Sequence, residues 1–168
     1  MVNLLAYFFI SLISLIALSA IVTVLISQKI KRSIPKFGKI TTLKDAEIHW
    51  YEIGHGRPII MLHGLAGNLR NFTYALTDKL NQDFRVIAID RAGCGWSKRS
   101  RPESATLNEQ ARIISDFIKK EKIEKPLIVG HSLGGAIALT LALEHKTKIS
   151  GLALIRPAPQ MIDDIPDI

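Results

Sequence analysis

The sequence predicts an α/β domain, a mostly parallel sheet flanked by helices, preceded by one transmembrane helix. Three observations predict it. From Gly38 onward, strand-like runs alternate with helix-like segments. Strands separated by helices of about 10–15 residues imply right-handed crossovers and a parallel sheet covered on both faces. Leu4 to Ile26 contains no charged residue, and Lys29, Lys31, Arg32, Lys36 and Lys39 follow it, with no acidic residue before Asp45.

The apolar run is taken first. As a helix, residues 4–26 span about 34 Å, against about 30 Å of bilayer hydrocarbon. A helix pairs its own backbone polar groups, as lipid demands. Ser11, Ser14, Ser19 and Thr23 are tolerable there because each hydroxyl can bond back to a carbonyl. A cleaved signal peptide is the alternative, but such peptides carry a basic start and a shorter apolar stretch. Residues 2–10 hold no Lys or Arg. The expected division is a membrane anchor over 1–28, a basic linker over 29–37 and a globular part over 38–168. Cations on the C-terminal flank place that side in the cytoplasm, giving a single-pass protein with a cytoplasmic domain. The net charge of +7 is concentrated there. It reads as a membrane flank, since no nucleic-acid-binding motif accompanies it. The single cysteine, Cys94, excludes an intramolecular disulfide and argues against a Cys-based zinc site.

The remaining elements follow in order. Lys39–Leu43 and Glu47–Ile53 form two short runs around Lys44-Asp45, a hairpin. Pro58–Leu62 is an apolar strand. Asn71–Leu80 carries Phe72, Ala75, Leu76 and Leu80 at helical spacing. Phe84–Ile89 is a buried-type strand. Thr106 to Glu109 has the capping-box pattern, and Leu107, Ala111, Ile114 and Ile118 continue one helical face. Leu127–Val129 is a buried strand. Leu133–Leu143 is apolar or small nearly all round, as in a helix buried on most sides. Ile149–Ile155 is a last strand, and an exposed edge there is an association hazard.

The chemistry centres on Gly130-His131-Ser132-Leu133-Gly134. Between a strand and a helix, G-x-S-x-G lifts its serine out on a strained turn. Side chains at Gly130 and Gly134 would collide with neighbouring backbone. The serine then sits at a helix N-terminus, where amide hydrogens can receive an oxyanion. A phosphate-binding turn is the competing reading. It requires a G-K-S/T triplet that the chain lacks, and where Gly93-Cys94-Gly95 opens like a dinucleotide fingerprint, the third glycine position holds Lys98.

Two more motifs each follow a strand: His63-Gly64-Leu65, and Asp90-Arg91-Ala92-Gly93-Cys94-Gly95-Trp96-Ser97. With Gly130–Gly134, in this order and spacing, they resemble the α/β-hydrolase superfamily, in its serine esterase, lipase and peptidase-like branch. The likeness runs from about Gly38 to about Pro159. The resemblance implies that Ser132 is the nucleophile and that the backbone N–H groups of Leu65 and Leu133 form the oxyanion hole. It gives Asp90 and His63 loop-shaping roles and turns His131 away from the serine. Dehalogenase and epoxide-hydrolase relatives use Asp where Ser132 stands, which argues against both chemistries. No cofactor or metal is implied.

In that superfamily an acid and then a histidine follow the serine. The only histidine after Ser132 is His145, about 20 Å along the same helix. A general base must come within about 3 Å. Asp163 and Asp164 lie beyond the last strand; some members of that superfamily carry their acid after this strand, and a solvated tail is the preferred reading. The sequence therefore reads as the N-terminal part of an incomplete α/β-hydrolase fold, inert as it stands. Three functions remain open: a membrane-anchored serine hydrolase of small ester-like substrates, a non-catalytic tethered binding protein, or an acyltransferase or C–C or peptide-bond hydrolase on the same scaffold.

Overall fold

A computed structural model of the protein describes residues 2–33, 37–145 and 147–158. The chain divides into two compact units, Met1–Phe37 and Gly38–Ile168. The first is a single helix, α1 (Val2–Ser33). By length and composition, Asn3–Ile30 could cross a membrane. The Ser19 hydroxyl donates to Ile16 O and the Thr23 hydroxyl to Ser19 O, both at 2.8 Å. One boundary differs from expectation. The helix runs on through Lys29, Lys31 and Arg32 to Ser33, because Lys, Arg and Gln are good helix formers. The first part of the supposed linker is thus helical.

The second unit is built on a seven-stranded sheet. Its strands are β1 (Lys39–Thr42), β2 (Ala46–Ile53), β3 (Arg57–Leu62), β4 (Phe84–Ile89), β5 (Lys98–Arg99), β6 (Leu127–His131) and β7 (Gly151–Ile155). The order is β1-β2-β4-β3-β6-β7, with the short β5 added beside β2. β3, β4, β6 and β7 run parallel, and β1, β2 and β5 pair antiparallel. The β1–β2 hairpin turns at Lys44-Asp45 as the sequence predicts, while β5 has no sequence signature. β7 is two residues shorter than expected and forms an edge of the described sheet, with Leu154 and Ile155 exposed.

Alternation along the strands supplies both faces. Ile48, Trp50, Ile60, Leu62, Ile87 and Ile89 join one core cluster with residues of α4 (Leu107–Lys120) and α5 (Leu133–Glu144). Trp50 meets Phe117 edge to face at 5.4 Å between centroids. The alternate positions Ile59, Met61, Val86 and Ala88 are also buried, as a sheet covered on both faces requires.

Two local expectations need correction. The predicted helix over 71–80 is two single turns, α2 (Arg70–Thr73) and α3 (Thr77–Leu80). Asn71, Phe72, Thr73 and Tyr74 are weak helix formers in succession. Asn68 and Asn71 also divert their side-chain oxygens to nearby backbone N–H groups. The capping box at α4 is half formed: Thr106 Oγ1 accepts from Glu109 N, but the Glu109 carboxylate pairs with Arg112, which also reaches Asp45 at 2.8 Å.

Candidate active site

Register brings the three motifs together. Leu62 of β3 pairs with Ile89 of β4 on one side and with Gly130 of β6 on the other. His63, Asp90 and His131 therefore stand level, one residue further on, where the parallel strands end. Open α/β sheets bind ligands at this end.

Ser132 sits between β6 and α5 with φ 51° and ψ −119°. A non-glycine residue in this region costs about 1–3 kcal/mol. The surroundings hold it there. Its N–H donates to Ile155 O, and its carbonyl accepts from Gly135 N, Ala136 N and Ala158 N. The flanking glycines permit the bend: a Cβ at Gly130 would lie 2.5 Å from Gly134 O, and one at Gly134 would overlap Leu62 O. The half-buried serine thus caps a twelve-residue helix, whose first N–H groups lack partners inside the helix.

The loop after β3 lies against this turn. A Cβ built on Gly64 would fall 3.0 Å from Ser132 Cβ and 3.1 Å from His131 Nδ1. The loop is held from beneath by a buried residue that the sequence reading did not single out, Arg91. Its Nε donates to His63 O at 2.9 Å and its Nη2 to Gly64 O at 3.0 Å. Its backbone N–H donates to His63 Nε2 at 3.1 Å. Burial lowers the Arg91 pKa from its ordinary value. His63 is fully buried, and its Nδ1 lies 2.9 Å from Gly64 O. An Nε2 that accepts from Arg91 N leaves the ring proton on Nδ1, where it donates to Gly64 O.

Asp90 ties three segments together. Its Oδ1 accepts from Leu69 N at 2.7 Å, and its Oδ2 accepts from Trp96 N at 3.0 Å and lies 2.7 Å from His49 Nδ1. Both partners of the His49–Asp90 pair are buried. Gly95, at φ 53°, is where the loop closes over this carboxylate, and a Cβ there would overlap it. Gly93 also takes a positive φ, 84°. His49 escaped the sequence reading, because only the antiparallel pairing of β2 with β4 places it beside Asp90.

A sequence model of the alpha/beta hydrolase fold family matches residues 57–168, more than half the chain. The chain belongs to the α/β-hydrolase fold family. It is 36% identical to a putative carbamate hydrolase, RutD, of Yersinia enterocolitica over 103 residues, covering 61% of this chain and 37% of that one. It is 33% identical to the 2-hydroxy-6-oxo-6-phenylhexa-2,4-dienoate hydrolase of Comamonas testosteroni over 132 residues, 73% of this chain and 44% of the other. Among solved structures it resembles an esterase from Exiguobacterium antarcticum, with TM-score 0.65, 29% identity and coverage of 72% and 46%. The chain spans less than half the length of the curated relatives it matches.

Within this α/β-hydrolase unit the other singled-out residues are placed as follows. Leu65 is exposed, in a turn with Ala66 at φ 54°. Leu133 opens α5, and His131 is exposed at the end of β6. His145 caps the far end of α5, away from Ser132, with a buried Nε2 that has no partner. Among the described residues no histidine hydrogen-bonds Ser132, and no cluster of His, Cys, Asp and Glu suits a metal ion. Asp163 and Asp164 lie outside the described residues.

Burial pulls the His63 pKa down to about 4. The unfolded ring, near 6.5, binds its proton first as pH falls. Stability is therefore complete above about pH 6.5 and is lost as pH falls toward 4, by about 3 kcal/mol in all. Glu52 and Glu109, held below the ordinary carboxylate range by arginine and lysine partners, lose their contributions only at lower pH. Urea midpoints of the full chain in detergent should fall between pH 6.5 and 5, and His63→Asn should flatten that slope. Parallel slopes for the two proteins would refute the assignment.

Proposed function

We propose that this chain carries the nucleophile half of a membrane-anchored serine hydrolase acting on small carboxylic-ester-like substrates. The carrying observation is the backbone of Ser132, held at φ 51° and ψ −119° between a parallel strand and the helix that follows it. In the proposed reaction Ser132 Oγ gives up its proton to a general base and attacks the ester carbonyl carbon. The carbonyl oxygen takes the negative charge, received by the N–H groups of Leu65 and Leu133 at the positive end of α5. Collapse expels the alcohol and leaves an acyl-enzyme, which water then hydrolyses. Arg91 and His63 shape the loop that carries Leu65, and Asp90 holds the loop beside it.

The reading requires a general base, and no histidine among the described residues hydrogen-bonds Ser132. The carbamate and dienoate hydrolases named above support hydrolysis of small molecules, and the esterase likeness favours an ester. The α1 helix supports the anchor. The cations on its C-terminal flank favour a cytoplasmic domain, which protease treatment of sealed vesicles would check.

A fluorophosphonate probe tests the proposal. The 168-residue chain is expected to label slowly or not at all. A longer product of the same reading frame, carrying an Asp and then a His, is expected to label rapidly, and S132A should abolish labelling. An extension without those residues, or labelling that survives S132A, defeats it. A non-catalytic binding protein is the second reading, favoured by the absence of any histidine bonded to Ser132 among the described residues. An extension that refuses the probe would favour it.

A further inference from the structure

At the opposite end of the sheet from Ser132, where β6 and β7 begin, α4 and two loops enclose a groove of about 630 Å³. Lys119, Lys122, Lys125 and Lys148 line it, with Glu124 as the one acid among the lining residues, and the buried Ile118 and Ile123 form its floor. β1 runs parallel to β4, since each pairs antiparallel with β2. The chain therefore enters this unit, at Lys39, at the same end.

The backbone at two of these lysines is unusual. Lys122 has φ 52° and Lys125 φ 43°. Lys122 lies two residues past the end of α4, and the next residue, Ile123, donates back to Ile118 O, the closure for which glycine is the usual residue at the position of Lys122. Lys125 precedes Pro126, a place where proline pushes the backbone toward extended values. Glycine would be less strained at both. Lysine adds positive charge to a groove that already carries it.

We propose that this groove binds the headgroup of an anionic phospholipid, with its phosphate among the Lys122, Lys125 and Lys148 ammonium groups and its glycerol backbone against Ile118 and Ile123. The charge is complementary to phosphate, the floor to an amphiphile, and a chain that bears α1 lives where lipid is abundant. The inference rests on the membrane-anchored reading in that last respect. Lys119 also pairs with Asp116, at 3.9 Å, and the other three lysines exceed what Glu124 neutralises.

The strained positions supply a test that spares the fold. The full chain in neutral detergent is titrated with dioctanoyl phosphatidylglycerol or dioctanoyl phosphatidylcholine, and retained lipid is counted by native mass spectrometry. The chain is expected to retain phosphatidylglycerol preferentially. Lys122→Gly with Lys125→Gly should weaken that retention about tenfold or more while the thermal midpoint stays level or rises. The cations of residues 29–39 are unchanged in this variant and set the baseline. Equal retention by the variant, equal retention of phosphatidylcholine, or displacement by millimolar inorganic phosphate would each overturn the proposal. Retention of the chain in vesicles after an alkaline carbonate wash reports on the anchor separately, so failure of that reading is distinguishable from failure of the groove.

Discussion

Asp90→Ala is expected to cost the full chain about 3–5 kcal/mol of stability, the sum expected when several hydrogen-bond donors lose one shared acceptor. The reason is the number of groups it strands. Leu69 N, Trp96 N and His49 Nδ1 all point at this carboxylate within 3.0 Å. Removing it leaves the buried Leu69 N and His49 Nδ1 without this acceptor, and the half-buried Trp96 N as well, and each buried donor so stranded costs about 1–3 kcal/mol. Asp90→Asn is milder but still costly, because its amide turns a donor toward a donor. Urea unfolding in detergent, followed by far-UV circular dichroism, gives the loss. A cycle combining Asp90→Ala with His49→Ala should show a coupling energy above about 1 kcal/mol. A loss below 1 kcal/mol for Asp90→Ala, or additive effects in the cycle, would mean that the carboxylate does not organise the loops.

The contrast between Asp90 and its partners shows what could be read in the sequence. Strand and helix periods placed nearly every long element, and the glycine-flanked serine stood out because its turn requires small residues at fixed offsets. Asp90 could be set aside as a loop residue by its motif alone. What held it could not. His49 lies forty-one positions earlier, on a strand whose alternation says only that it faces away from Ile48 and Trp50. Its meeting with Asp90 is decided by antiparallel pairing with β4. Arg91 likewise looks like a surface cation in one dimension, yet its guanidinium is buried against two carbonyls of the neighbouring loop. The break between α2 and α3 was hidden because apolar spacing outweighed the weak helix propensity of 71–74 in the reading, whereas the chain follows propensity and local side-chain bonds. Long-range register, burial of charge and side-chain competition for backbone groups are three-dimensional outcomes that local pattern does not encode.

Gly134→Ala is expected to be nearly as damaging as loss of Asp90, though it adds only a methyl group. The atoms that the methyl would meet are Leu62 O, Leu62 C and His63 O, all main chain. No rotamer change can clear them, so α5 must move away from β3. That shift opens the contact between the Gly64 loop and Ser132 and strains the β6–α5 turn. Overpacking of a close backbone contact costs about 1–3 kcal/mol or more, and here the upper part of that range applies. Gly151→Ala is the control: its Cβ would meet only Leu127 Cδ1, at 3.5 Å, an ordinary contact. The first substitution should lower the urea midpoint and speed amide exchange at residues 64–67, while the second should leave both nearly unchanged. If both variants behave alike, the close approach of α5 to β3 is not what holds the serine turn, and the geometric basis for Ser132 as nucleophile is lost.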